Sequence, residues 1–141
     1  MSIATFPRAR LDVGLPNLLA QLPKLGRVMV IARAPTILLE RLGTIESAEI
    51  DGTTLILSGE NHDAQIDATR LDTLILDRTV RMGDKVLPRI EFRNAADALV
   101  FSVGGMEGLA GFDAALATLP LTAVDAELRC ADNRTVPGPT P

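Results

Sequence analysis

Between residues 44 and 105 the chain is a succession of short β-prone runs separated by turn signals, and this pattern restricts its fold more than any other feature. The hairpin dipeptide Asp51-Gly52 lies between two of these runs. Other runs alternate apolar with polar side chains, which is typical of half-buried strands. Because short turns join antiparallel neighbours, the sequence predicts a mostly antiparallel sheet of at least six strands.

Apolar residues at helical spacing occur in three other segments. Residues 15–22 and 109–119 each carry an apolar stripe and stop before a proline. In residues 34–43, Pro35 suits a first helical turn and Gly43 suits the position just after a helix end. We therefore expect a helix there, and an α+β fold in which helices pack on one side of the antiparallel sheet or at one end of it.

The length of 141 residues indicates one domain. Residues 1–13 are expected to be a loose lead-in, and residues 14–130 are expected to form the single α+β domain. Residues 131–141, rich in proline and polar residues, are expected to be a disordered tail. Hydrophobic residues make up 47% of the chain and aromatic residues only 3%, so the core must be mostly aliphatic.

The charge and the apolar runs argue against several partners. The formal net charge is −4 and the chain has no Trp or Tyr to stack on bases, so nucleic-acid binding is disfavoured. No apolar run approaches the roughly 18 residues of a membrane span, and the N-terminus lacks the apolar block of a secretion signal. We expect a cytoplasmic protein with neither a membrane nor a nucleic acid as partner.

Residues suited to catalysis or metal binding are sparse. His62 is the single histidine and lies in the polar segment GENHDAQ, where a solvated loop position is expected. Cys130 is the single cysteine and is interpreted as a small core residue. The chain has no clustered Cys/His pattern of the kind that binds zinc. No catalytic or metal-ligating residue is predicted, and an enzyme is the least favoured class.

Three arginines, Arg27, Arg33 and Arg41, bracket the apolar run VMVI and the predicted helix that follows it. A solvated or ion-paired surface position explains each of them. Arg33 stands at the junction between the predicted strand and the predicted helix, so it is the best placed of the three to hold an anionic group.

Two stretches resemble the HemS/ChuX-type haem-utilisation family. The first is LPKLGRVMVIARAPTILLERLG, where the family shows Leu-Gly, a variable residue, Val-Met, an apolar strand, an Arg and a helix ending in His-Glu-x-x-Gly. Leu39 stands where that histidine is expected. The second is IEFRNAADALVFSVGG, which resembles a strand pair that ends in Val-His-Lys-Val. Here Phe101 and Ser102 replace the His-Lys.

The resemblance covers roughly residues 15–119 and implies a single-repeat member of the family, with a split antiparallel sheet and commonly paired into a homodimer. Family members bind, carry or degrade haem, and imidazole is a standard ligand of haem iron. If Leu39 and Phe101 occupy histidine positions, their side chains should face a cleft or fill it. Haem affinity would then depend on apolar contact and on Arg33 pairing with a propionate.

The resulting hypothesis is a non-catalytic ligand-binding protein on a haem-utilisation-like scaffold. It names Arg33, Leu39 and Phe101 as cofactor-binding positions, with haem or another hydrophobic anion as ligand and no histidine ligation of iron. The alternative is a structural or regulatory homodimerisation module without a small-molecule ligand, and a haem-degrading enzyme comes third. A homodimer is expected because strands as apolar as TLILS and TLILD need cover on both faces or a second chain.

Overall fold

The computed structural model describes residues 7–124, and strands make up most of them. The strands are β1 (Arg8–Leu11), β2 (Arg27–Ala34), β3 (Ile37–Asp51), β4 (Thr54–Gly59), β5 (His62–Asp67), β6 (Thr73–Asp77), β7 (Arg81–Met82), β8 (Lys85–Val86), β9 (Arg89–Arg93), β10 (Leu99–Gly105) and β11 (Leu121–Ala123). Nine of them form one sheet in the order β11-β1-β6-β9-β10-β2-β3-β4-β5, and β7 pairs with β8. Neighbouring strands are antiparallel throughout. The predicted α+β fold with a mostly antiparallel sheet is confirmed.

The helices cover one face of this sheet, which we call the inner face. These are α1 (Leu15–Leu19), a 3₁₀ helix (Leu22–Leu25) and α2 (Leu109–Leu116), while a further short 3₁₀ helix (Ala68–Arg70) follows β5. Their buried side chains share one hydrophobic core with side chains of the inner face, namely Leu18, Leu19, Leu22, Leu25, Phe112 and Leu116 with Val28, Val30, Phe92, Phe101 and Val103. Within residues 7–124, no helix has the length and apolarity needed to cross a membrane.

The helix predicted for residues 34–43 is wrong, because this stretch is a β-hairpin. β2 runs on to Ala34, a two-residue turn of Pro35 and Thr36 follows, and β3 begins at Ile37. The two strands pair continuously from the turn back to Arg27. Pro35 lies in the turn, where its missing N–H removes no bond from the ladder. A proline at the start and a glycine at the end therefore fit a hairpin here as well as a helix.

Gly43 and Gly59 lie where two neighbouring backbones approach too closely for any side chain. A Cβ at Gly43 would collide with the carbonyl group of Glu60, and a Cβ at Gly59 would collide with the carbonyl oxygen of Thr44. The register of β3 against β4 also shifts just beyond this point, between residues 45 and 47. At this junction β3 passes from its pairing with β2 to its pairing with β4, and side chains of β4 reach the same core as the helices.

The expectation of a loose lead-in is wrong for the part of residues 1–13 that the structure describes. Residues 8–11 form β1, which pairs with both β6 and β11 inside the sheet. Arg8 is fixed there by a buried ion pair to Asp77, at 2.7 Å. The tail predicted for residues 131–141 and the core position predicted for Cys130 lie outside the described residues.

Candidate functional site

The end of the β2–β3 hairpin, which we call the hairpin tip (residues 32–41), exposes large aliphatic side chains. Leu39 is 61% exposed, Ile37 54% and Leu38 51%. Side chains of this type gain about 1.5–3 kcal/mol from burial, and here the folded chain leaves them in water. An exposed aliphatic cluster of this kind is typical of surfaces that bind a ligand or a partner. The hairpin tip is therefore the first candidate site.

Leu39 and Phe101, the two predicted histidine positions, lie in one row of side chains across the sheet. Leu39 pairs with Ala32, Ala32 pairs with Phe101, and Phe101 pairs with Phe92. Phe92 in turn pairs with Leu74. Directly paired residues share a face, so all five lie on the inner face. We call this set the inner row.

The middle of the inner row and its Leu39 end differ in exposure. Phe101 is 1% exposed and stacks on Phe92, with ring centroids 4.1 Å apart and ring planes 9° from parallel. Phe101 therefore fills the interior of the row, whereas Leu39 forms its exposed end. An apolar ligand can reach Leu39 and, beside it, the partly exposed Ala32. It cannot reach Phe101 without opening the core.

Arg33, the third predicted site residue, lies on the opposite face of the sheet from Leu39. Its partner across the ladder is Leu38, so both project from what we call the outer face. Arg41 has the reverse placement, because it pairs with Val30 and follows Leu39 by two residues on the same strand. The structure thus joins Leu39 to Phe101 on one face, separates Arg33 from both, and adds Arg41.

The helix predicted for this segment groups different residues on one face than the strand that the structure shows. In a helix, residues 33, 37 and 41 are neighbours on one side. In a strand, Ile37, Leu39 and Arg41 share one face, and Leu38, Glu40 and Leu42 share the other. The alternation in residues 37–42 alone does not reveal which face carries the site. The pairing of β3 with β2 shows that Leu39 lies on the inner face.

Leu74, at the other end of the inner row from Leu39, lines a cleft of about 270 Å³. Its apolar wall includes Leu74, Leu11 and Val13, and Arg10 stands at the same cleft. The volume is below the range of about 300–1,000 Å³ that ligand pockets usually have. Arg10 already donates from Nε to Asp12 at 2.8 Å. This cleft is a weaker candidate than the hairpin tip for a large ligand.

A second unusual group, which we call the buried charge cluster, lies on the outer face. Glu91 accepts hydrogen bonds from Arg8 at 2.9 Å, from Arg93 at 3.0 Å and from Arg89 at 3.0 Å. Arg8 also donates to Asp77 at 2.7 Å. Arg8, Arg93, Asp77 and Glu91 are buried. Two carboxylates are thus held among three guanidinium groups.

The surroundings of Glu91 make it unsuited to proton transfer. Burial by itself raises the pKa of Glu91, but the charge of Arg8, its hydrogen bonds and the charges of Arg89 and Arg93 outweigh burial. The pKa of Glu91 therefore lies below its usual value, and the carboxylate stays ionised at neutral pH. A general acid or base needs a pKa near the working pH, so we assign the cluster a structural role.

His62 is not the solvated loop histidine that sequence analysis expects. It is 5% exposed, at the start of β5, and its Nε2 lies 3.1 Å from the carbonyl oxygen of Gly43. Because a carbonyl oxygen only accepts, Nε2 carries the proton and donates. That nitrogen is therefore occupied. Among residues 7–124, no group of three or more His, Cys, Asp or Glu side chains has the arrangement of a metal site.

Comparison with known proteins identifies the fold. No protein-family model and no curated protein sequence matches the chain. Among solved structures, ChuS, a haem oxygenase of E. coli, has a TM-score of 0.72 at 16% identity over 87% of this chain and 40% of ChuS. Holo-PhuS, a haem-binding protein of Pseudomonas aeruginosa, has a TM-score of 0.69 at 16% identity over 79% of this chain and 33% of PhuS.

A third similar structure is the haem-binding protein ChuX, with a TM-score of 0.58 at 13% identity. The match covers 84% of this chain and 72% of ChuX. This chain spans less than half the length of ChuS or PhuS but most of ChuX. The protein therefore has a HemS/ChuX-type fold, which confirms the resemblance seen in the sequence as a likeness of fold.

Proposed function

We propose that this protein binds haem, or a similarly flat hydrophobic anion, on the inner face of the hairpin tip without a histidine ligand to iron. The observation that carries this proposal is the exposure of Leu39, at 61%, on a fold shared with haem-handling proteins. Ile37 lies beside Leu39 on the same face and is also exposed. Together they offer an apolar surface suited to the flat side of a porphyrin.

The proposal leaves the iron without a protein ligand at this position. A leucine side chain has no lone pair to donate, and Nε2 of His62 is engaged with Gly43. When bound, haem would supply an iron centre that these residues do not ligate. The residues of the hairpin tip would contribute apolar contact and a charged side chain only. This favours a holding role over a catalytic one.

Hemin titration followed by the Soret band tests the proposal. Wild type should bind hemin weakly and give no spectrum typical of histidine ligation. Leu39→His should bind at least about tenfold more tightly and shift the band to that of a histidine complex, since it places imidazole on the apolar inner face. Wild-type binding that is tight and histidine-ligated would contradict the proposal, and so would no binding at all.

Leu38→His is the matched control for this experiment. Leu38 directly precedes Leu39 on the same strand, is 51% exposed, and projects from the outer face. We expect it to leave hemin affinity close to that of wild type. Equal gains from both histidine variants would mean that any exposed imidazole recruits hemin and that the inner face has no special role.

We also propose that two copies of this chain form a homodimer through the outer face of the hairpin tip. Leu38 is exposed there, and Ile31 and Leu42 lie partly exposed on the same face. Arg33 and Glu40 share this face with them, so a second copy, which brings the same apolar side chains and both charges, is the simplest cover. If the dimer forms and hemin does not bind, the chain is a homodimerisation module instead. The cytoplasmic location and the absence of nucleic-acid and membrane partners stay predictions.

Light scattering tests the homodimer. At micromolar concentration the mass should be about twice the 15.0 kDa of one chain. Leu38→Asp should shift the equilibrium towards monomer, because it places a charge in the proposed apolar contact. Leu39→Asp, on the inner face, should shift the equilibrium less. A wild-type mass of one chain would rule the dimer out.

A further inference from the structure

Arg41 is the cation that the fold places on the face of Leu39. It follows Leu39 by two residues on β3 and pairs with Val30 across the ladder, so it projects from the inner face. Arg41 is exposed, whereas Val30, its partner on the neighbouring strand, is only 8% exposed. In the part of the chain that the structure describes, no ion pair includes Arg41. Its charge is therefore available to a ligand on this face.

The hairpin surroundings of Arg41 are apolar on its own face. Its strand neighbours there are Leu39 and Gly43, and its diagonal neighbours on β2 are Val28 and Ala32. None of these four residues is acidic. An anion beside Arg41 would therefore not compete with a carboxylate from the hairpin.

Arg33 has different surroundings on the outer face. Leu38 is directly opposite it, and Glu40 is the diagonal neighbour on β3, which places a carboxylate within reach of a long side chain. Arg33, like Arg41, takes part in no ion pair among the described residues, but Glu40 is an acidic neighbour on its own face, whereas Arg41 has no acidic neighbour on its face of the hairpin. Arg33 is thus separated from the apolar inner face and lies near an acidic residue. Both differences favour Arg41 as the anion-binding side chain.

We propose that Arg41 determines the ligand class of the hairpin tip by pairing with a carboxylate on the edge of a flat apolar ligand whose body covers Leu39 and Ile37. This inference rests on the proposed function and makes it more specific. A guanidinium group pairs with a carboxylate through two parallel hydrogen bonds. The site therefore selects apolar molecules that carry a carboxylate over neutral molecules of the same shape.

The test compares hemin with its dimethyl ester, in which both carboxylates are blocked. Wild type should bind hemin about three- to tenfold more tightly than the ester, the range expected for a charge-assisted pair near the surface. Arg41→Gln should lose this preference and keep its affinity for the ester. Arg41→Lys should keep part of the preference. Arg33→Gln is the matched control and should behave as wild type.

The possible outcomes separate this inference from the proposed function. If wild type binds hemin and the ester equally, or if Arg33→Gln loses the preference and Arg41→Gln keeps it, Arg41 is the wrong residue while hemin binding at the hairpin tip still stands. If wild type binds neither compound, the proposed function fails and this inference fails with it. Circular dichroism of both glutamine variants, at exposed positions, checks that the fold is intact.

Discussion

The hairpin tip and the buried charge cluster reverse the usual distribution of side chains. Ile37, Leu38 and Leu39 are aliphatic and more than half exposed, whereas Glu91 and Asp77 are charged and fully buried. Both regions belong to the same nine-stranded sheet. The carboxylates have partners that offset the cost of burial, because arginines surround them. Within the described chain, no neighbouring residue covers the aliphatic side chains of the hairpin tip. For this reason we assign a functional role to the hairpin tip and a structural role to the buried charge cluster.

The largest effect should come from the charge cluster. Glu91→Ala removes the carboxylate that accepts from three arginines and leaves their charges buried, so the free energy of unfolding should fall by about 3–5 kcal/mol. Urea unfolding measures this change. Glu49→Ala, at an exposed position of β3, is the control and should change stability by less than about 0.5 kcal/mol. A loss below about 1 kcal/mol for Glu91→Ala would mean that water reaches the cluster.

A smaller effect should appear in the pH dependence of stability. The pKa of Glu91 is lower in the folded chain than its ordinary value of 4.5, so the unfolded chain takes up this proton first as the pH falls. The stabilisation present at neutral pH is therefore lost as the pH drops through 4.5 towards the folded-state pKa. Urea unfolding between pH 7 and about pH 3 should show this loss.

Glu91→Gln and Asp67→Asn separate buried from exposed carboxylates in that measurement. Glu91→Gln should flatten the acid dependence, because the titrating group is gone. The pKa of Asp67 is also lowered, chiefly by the Thr69 hydroxyl, but Asp67 is exposed to solvent. Asp67→Asn should therefore change the acid dependence much less. Equal changes in the two variants would show that burial does not govern the response.

The smallest effect should come from the hairpin tip. Leu39→Ser should change the free energy of unfolding by no more than about 0.5 kcal/mol, because the leucine is already in water. Leu74→Ser alters the same residue type at the buried end of the inner row and should cost about 2–5 kcal/mol. A large loss at Leu39, measured at protein concentrations where the chain is monomeric, would show that the tip belongs to the core.

Sequence periodicity predicted the strands well and their environment less well. The alternation in VLPRIEFR correctly separates Ile90 and Phe92 from Arg89 and Glu91. It predicts two faces, but it does not tell whether the polar face meets water. Glu91 is fully buried, because Arg8 from β1 lies against it. No local pattern reveals that contact, since Arg8 is 83 residues away along the chain.

The candidate site was predictable in part for a similar reason. The resemblance places Leu39 and Phe101 at histidine positions by their order in the chain, and that prediction does not depend on whether the segment is a helix or a strand. The face of Arg33 depends on which of the two forms, because a helix repeats every 3.6 residues and a strand every two. The Pro35-Thr36 turn lacks the Asn-Gly or Asp-Gly signal of a two-residue hairpin. Without that signal, the sequence favours a helical period for this segment and favours Arg33 over Arg41 as the anion-binding arginine.

The exposed position of Leu39 also affects how a chain of this kind can change over generations. Gly43 is constrained by the backbone of a neighbouring strand, so most replacements there would disrupt the fold. Leu39 is only four residues away but touches little of the core, so replacements there change surface chemistry at almost no cost in folding. One substitution can therefore add or remove an iron-ligating side chain without passing through a misfolded intermediate. The surface chemistry of the hairpin tip can therefore vary almost independently of the fold.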